Sequence, residues 1–208
     1  MESVFSRVAF TIWGIPVRNS VVSTWIMMAL IVGGVLILRK KAPIVLEMLV
    51  DFVSDLAGNF IPGPTSPYVP FLGTLIIFIL VANLFGNIPL MFTPTRDINT
   101  PLALALVSLA ASLAFGIRAK GALGFAKSRL TPMLPLDLIG YISRTMSLTL
   151  RLFGNIIAGE VIIAVLFDLV PIGIPLVMVA LGGITGVLQA YVFTVLNASY
   201  IASMVGND

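Results

Sequence analysis

The 208-residue chain contains no cysteine and no histidine, and only 10% of it is charged. Without cysteine there is neither a disulfide framework nor a thiolate metal site. Without histidine the commonest metal ligand and the usual proton relay near neutral pH are also missing. A soluble domain of this length carries far more surface charge. No glycine-rich loop of the phosphate-cradling kind occurs, so the chain is not expected to bind nucleotide. Its net charge of +3 is too small to suggest a nucleic-acid partner. No metal or cofactor is expected. Residues 1–19 carry Glu2, Arg7, Trp13 and Pro16 and lack the apolar core of a cleavable signal peptide.

What the chain has in abundance is apolar sequence, at 59%. An α-helix needs about 20 apolar residues to cross the acyl core. Residues 20–38 make the first such run, and it stops at Arg39-Lys40-Lys41. A basic cluster directly after a span marks the cytoplasmic side, which puts the N-terminus outside. Residues 43–60 differ. Pro43 suits a helix start, and Glu47, Asp51, Ser54 and Asp55 form one polar stripe at steps of four, three and one. Such a segment is either an amphipathic helix lying at the interface or a helix packed on a protein partner. After the loop Gly63-Pro64-Thr65-Ser66-Pro67 come spans over 70–92 and 100–117, separated by the polar turn 93–99. Asn83, Gly86 and Asn87 in the first of these suggest helix packing rather than lipid exposure. Arg118, Lys120, Lys127 and Arg129 then form a second basic loop, whereas only Arg7, Arg18 and Arg96 fall on the other side. This bias supports the same orientation.

Residues 136–168 and 172–204 are the last two segments. At 1.5 Å per residue each reaches about 50 Å, against an acyl core of about 30 Å. They are expected to form a long hairpin that tilts steeply, breaks or extends beyond the bilayer. The reading is an all-α polytopic membrane protein in one membrane domain, 1–208. It comprises about five transmembrane helices and one interfacial helix. No internal repeat supports the inverted-repeat plan of many transporters.

Ionisable groups inside spans are costly and are functional candidates by default. Asp137, Arg144 and Arg151 are spaced by seven and seven, so they share a helix face, with Gly140, Ser147 and Asn155 along the same stripe. Glu160, nine residues beyond Arg151, falls on roughly the opposite face, which argues against an Arg151–Glu160 salt bridge. Arg151 lies near the middle of its segment, where snorkelling cannot help. An external carboxylate is its expected partner. Arg144 is nearer the cytoplasmic end and can snorkel; Asp137 is either the mouth of a polar path or a solvated helix start. Asp168 is expected to be only the outer helix end. On the following segment Gly182, Thr185, Gly186 and Gln189 cluster on one side. The glycine pair permits close helix approach, and Gln189 is the polar group expected to meet Arg151.

Several blocks resemble the signature of ATP synthase subunit a. The most specific is Ser147-Leu148-Thr149-Leu150-Arg151-Leu152-Phe153-Gly154-Asn155, continuing to Glu160. Phe71-Leu72-Gly73-Thr74, Asn83-Leu84-Phe85-Gly86-Asn87-Ile88-Pro89, Pro94-Thr95-Arg96-Asp97-Ile98-Asn99-Thr100 and Leu188-Gln189-Ala190-Tyr191-Val192-Phe193 complete the set. The resemblance implies a stator subunit in a bacterial plasma membrane, with its last two helices forming a tilted hairpin against a ring of c subunits. The other implied partners are the b subunits of the peripheral stalk and, through the complex, the catalytic head. It implies that Arg151 is the essential arginine facing the rotor carboxylate. Asn155, Glu160 and Gln189 then belong beside it and in an outer half-channel whose mouth lies near Asp97. Asp137, Ser143, Arg144 and Ser147 fall where the family has polar groups of the inner half-channel. Some relatives carry a histidine where this chain has Gly182. The chain itself would be non-catalytic, and the coupling ion would be a proton or, alternatively, sodium. Two rival readings are a self-contained secondary transporter, disfavoured by the missing repeat, and a purely structural anchor, which has no need of Arg151.

Overall fold

The computed structural model describes residues 8–12, 15–86, 97–121, 124, 134–169 and 173–206. Glu2, Arg7, Trp13, Asn87, the turn residues 93–96, Lys127, Arg129 and Pro171 lie outside the described residues. Helices dominate. They run α1 (Asn19–Lys41), α2 (Pro43–Gly58), α3 (Val69–Phe85), α4 (Asn99–Lys120), α5 (Leu134–Leu169) and α6 (Ile174–Val205). A small antiparallel hairpin precedes them, β1 (Val8–Ile12) with β2 (Ile15–Arg18), registered as Phe10↔Val17 and Ile12↔Ile15. This hairpin is an addition to the sequence reading, and β-branched residues on both strands favour it. The chain is an all-α polytopic membrane protein apart from this ribbon.

Among the described residues four helices are long and apolar enough to cross a membrane, within α1, α4, α5 and α6. The fifth apolar helix, α3, has 17 residues, or about 26 Å of rise. It is the best-buried element. Leu72, Leu75, Ile76, Ile79, Ala82, Asn83 and Phe85 all lie in the interior. The same core cluster takes in Ala190, Phe193, Ala198 and Ile201 of α6, Leu148 and Leu152 of α5, Ala105 of α4 and Val53, Leu56 and Ala57 of α2. Edge-on contacts of Phe115 with Tyr68 and Phe71, at centroid distances of 5.0 and 6.0 Å, join the end of α4 to the start of α3. By contrast α1 barely joins the core: 6% of its span is buried, with Met27 inside and Val32, Leu36 and Ile37 exposed.

Helix ends follow local chemistry. Pro43 stands in the first turn of α2, where its missing N–H costs nothing. Arg39, Lys40 and Lys41 close α1, complementing the negative end of its dipole. The turn into α6 passes through Gly173 at φ 94°, a conformation that side chains with a Cβ disfavour.

Candidate functional site

α5 has 36 residues, and Arg151 stands at its midpoint. The helix divides lengthwise. Thr145, Leu148, Thr149 and Leu152 are buried against the neighbouring helices. Ser143, Ser147 and Arg151, at successive steps of four, are exposed on the other side, among Ile142, Met146 and Leu150. Arg151 makes no hydrogen bond or ion pair with the described residues. It is thus a fixed cation on an otherwise apolar outer stripe, with hydroxyls one and two turns away toward the start of the helix.

Asn155 and Glu160 are half-buried. Glu160 lies nine residues beyond Arg151, which is about half a turn around the helix and about 13 Å along it. Asp137 is half-buried in the first turn of α5. Asp97 stands on a different element, just ahead of α4. Its carboxylate accepts from the Asn99 backbone N–H at 3.2 Å and from Asn99 Nδ2 at 2.8 Å. A carboxylate at a helix start is favoured by the positive end of the dipole, so this placement also has a structural reason.

Arg144 shares its backbone face with Arg151, but its side chain goes elsewhere. Nη1 donates to Ser203 Oγ at 3.1 Å, and the guanidinium lies 4.8 Å from the ring centre of Tyr200. Both partners are on the last turns of α6. Arg144 also borders a cavity of about 10 Å3 together with Ser112, Tyr141, Thr145 and Tyr200, enough for roughly one water. It is therefore a link between α5 and α6 rather than a member of the exposed stripe. Tyr200 and Ser203 did not stand out in the sequence, because their role depends on a contact across 59 residues.

A second polar seam joins α3 to α6. Asn83 Nδ2 donates to the backbone carbonyl of Gly186 at 2.9 Å, inside the protein. The helices touch so closely there that a Cβ on Gly186 would stand 2.9 Å from Asn83 Cβ. Asn83 Oδ1 and, three residues from Gly186, Gln189 Nε2 are both buried without a hydrogen-bond partner among the described residues. Two such groups beside one contact are expensive unless a polar partner such as water serves them. Gln189 makes no hydrogen bond to Arg151. Asn83 is the residue the sequence reading assigned to packing alone; its orphaned carbonyl oxygen places it in this polar group.

The family model described as ATP synthase A chain matches residues 21–202. The chain belongs to this family. A relative from Picosynechococcus sp., named ATP synthase subunit a 2, is 41% identical over 91% of this chain and 86% of its own length. Another of the same name from Bradyrhizobium sp. is 38% identical over 97% of this chain and 95% of its own. ATP synthase subunit a of Moorella thermoacetica is 36% identical over 94% of each. Membership makes this chain a multi-pass membrane component of an ATP synthase complex, concerned with ion transport and ATP synthesis. The matched range takes in the arginine stripe, the Asn83–Gly186 contact, Arg144 with Tyr200, and Asp97. Among the described residues no group of three or more acids could hold a metal ion.

Proposed function

We propose that this member of the ATP synthase A chain family is the non-catalytic stator subunit that passes protons to and from a rotating c ring through two half-channels. The observation that carries the reading is Arg151, exposed at mid-helix, without a partner among the described residues, on a helix face otherwise made of apolar side chains and the hydroxyls of Ser143 and Ser147. A rotor carboxylate crosses lipid in neutral form, because a bare charge there is costly. Beside Arg151 its ionised form is stabilised. A guanidinium stays protonated, so Arg151 cannot relay the proton and separates the two paths instead.

On this reading Ser143, Ser147 and Asp137 serve the cytoplasmic path, with Arg144 fixing the adjoining end of α6. Asn155, Glu160 and Gln189 serve the outer path, with Asp97 near its mouth and Asn83 beside Gln189. The long α5–α6 pair tilts along the ring, α2 lies at the cytoplasmic interface, and b subunits link the chain to the catalytic head. The basic end of α1 and Arg118 with Lys120 at the end of α4 support a cytoplasmic side for these ends, in a bacterial plasma membrane. Sodium could replace the proton without changing these roles, since the ion ligands would belong mainly to the rotor.

The test is Arg151→Ala in the whole complex. The expected result is normal co-purification with the c ring but no ion-driven ATP synthesis in inverted vesicles. Near-normal synthesis would refute the ion-path role, and loss of assembly would favour the structural anchor.

A further inference from the structure

A groove bounded by α1, α2 and α3 has no part in the proposed ion path. Its volume is about 680 Å3, within the ~300–1,000 Å3 common for small-ligand clefts. Val35 of α1, Leu49 and Val53 of α2, and Val69, Gly73 and Ile77 of α3 give it an apolar lining. Its polar lining is concentrated on α2 and the segment that follows, with Asp51, Ser54, Thr65 and Ser66. Ser54 and Thr65 are bonded to each other at 3.1 Å, and the Thr74 hydroxyl is given to the Pro70 carbonyl at 2.7 Å. Asp51 makes no hydrogen bond or ion pair with the described residues, and neither do Arg39, Lys40 and Lys41. Arg39 follows Val35 by four residues, so it lies on the same face of α1 one turn further on. The groove interior is thus apolar, its α2 side carries the exposed Asp51 with no partner among the described residues, and the basic residues 39–41 follow its α1 wall, just beyond the lining.

We propose that this groove binds one membrane phospholipid with a primary ammonium headgroup, phosphatidylethanolamine being the simplest. The acyl chain lies along Val35, Val53, Gly73 and Ile77. The phosphate is held by Arg39 and its basic neighbours, and the ammonium by Asp51. Three observations select this occupant. The span of α1 is only 6% buried and exposes Val32, Leu36 and Ile37, so the α1 wall of the groove belongs to an apolar helix face suited to contact with acyl chains. Unpaired basic residues at the end of a span attract lipid phosphate. Asp51 would repel a headgroup of net negative charge, but it can accept hydrogen bonds from an ammonium with three N–H donors. A trimethylammonium group has no N–H and cannot replace it. The basic cluster also serves orientation, as at the end of any span; that role accounts for its sign and not for an unpaired acid across an apolar groove. The proposal is independent of the ion-path reading.

The test uses the intact complex in detergent, loaded with phosphatidylethanolamine that carries a diazirine on its acyl chain. After irradiation, adducts are mapped by peptide mass spectrometry. Adducts are expected on residues 46–53 and 73–77, competed several-fold better by unlabelled phosphatidylethanolamine than by phosphatidylcholine or phosphatidylglycerol. Arg39→Gln, which keeps Lys40 and Lys41 and hence the orientation, should lower labelling several-fold. Asp51→Asn should remove the preference over phosphatidylglycerol. Both variants are checked for co-purification with the c ring. Equal competition by phosphatidylcholine would overturn a specific site, and equal competition by phosphatidylglycerol would overturn the ammonium assignment. Capture of another subunit by a photo-leucine at Leu49 would show a protein helix in the groove and overturn the proposal.

Discussion

Replacing Gly186 by alanine tests the contact on which the α3–α6 seam depends. The added methyl carbon would lie 2.9 Å from Asn83 Cβ, 3.7 Å from Cγ and 3.8 Å from Nδ2. Comfortable carbon–carbon contact is about 3.5–4.0 Å, so one helix must move by up to about 1 Å or the Asn83 side chain must leave. Overpacking of this size costs about 1–3 kcal/mol. The same shift stretches the 2.9 Å bond from Asn83 to the Gly186 carbonyl, a loss of about 0.6–1.7 kcal/mol for a hydrogen bond in a membrane protein. Alanine returns about 1 kcal/mol through its higher helix propensity. The net is a destabilisation of about 2 kcal/mol, roughly a thirtyfold change in population. The assay is heat-induced loss of this subunit from the solubilised complex, followed on native gels. Gly34→Ala is the control, because a Cβ there meets nothing within 4 Å. Asn83→Gly combined with Gly186→Ala removes the clashing carbon and should restore part of the stability. A Gly186→Ala complex that dissociates like the parent would refute the close approach.

Other expectations concern charge and orientation. Glu160→Ala should assemble normally and slow ATP-driven proton pumping in vesicles, whereas unchanged pumping would remove Glu160 from the outer path. Arg151→Lys should also lose most ATP synthesis despite retaining a cation, because an ammonium has a different reach and deprotonates when desolvated; substantial retained synthesis would show that charge alone suffices. Since the chain has no cysteine, single introduced cysteines report orientation against no background from this subunit. Ile98→Cys, ahead of α4, should react with an impermeant maleimide on intact cells, and Ala119→Cys, at its other end, should not. The reverse pattern would invert the proposed orientation.

The sequence is informative where one-dimensional spacing decides the outcome. A run of about 20 apolar residues can satisfy its backbone in lipid only as a helix, so helical polytopic architecture is readable without coordinates. Contacts between distant segments are not. Arg144 and Arg151 are equivalent by their seven-residue spacing, yet one lies over Tyr200 and the other stays exposed. What separates them is the presence of the last turns of α6 beside Arg144, and nothing local encodes that neighbour. Asn83 is suggestive of packing by type, but its partner is the backbone carbonyl of a glycine 103 residues away. The β1–β2 ribbon was missed for a different reason: two short strands beside a long apolar span have no periodicity strong enough to identify them. α1 is apolar around its whole circumference, so no pattern tells which residue faces inward, and Met27 alone among its described residues is fully covered.

The position of Arg151 limits where its compensation can come from. An arginine at the centre of a span costs about 2.5–3.5 kcal/mol even on the mildest insertion scales. Inside the protein, the buried side of α5 offers Thr145 and Thr149, but their hydroxyls are already given to the carbonyls of Tyr141 and Thr145 at 2.9 and 2.8 Å. Neither contributes an anion. Compensation must therefore arrive at the exposed stripe, from water or from a partner's carboxylate. Water alone would compensate the cation continuously and would open a leak along the helix. A carboxylate carried past on a rotor compensates it only while the rotor is in register, which turns the same energy into a step. A membrane potential of 100 mV contributes about 2.3 kcal/mol per elementary charge, comparable to the cost of leaving Arg151 uncompensated. On the proposed reading the two magnitudes must be similar. A much stronger pairing would hold the rotor in place, and a much weaker one would leave the two half-channels connected.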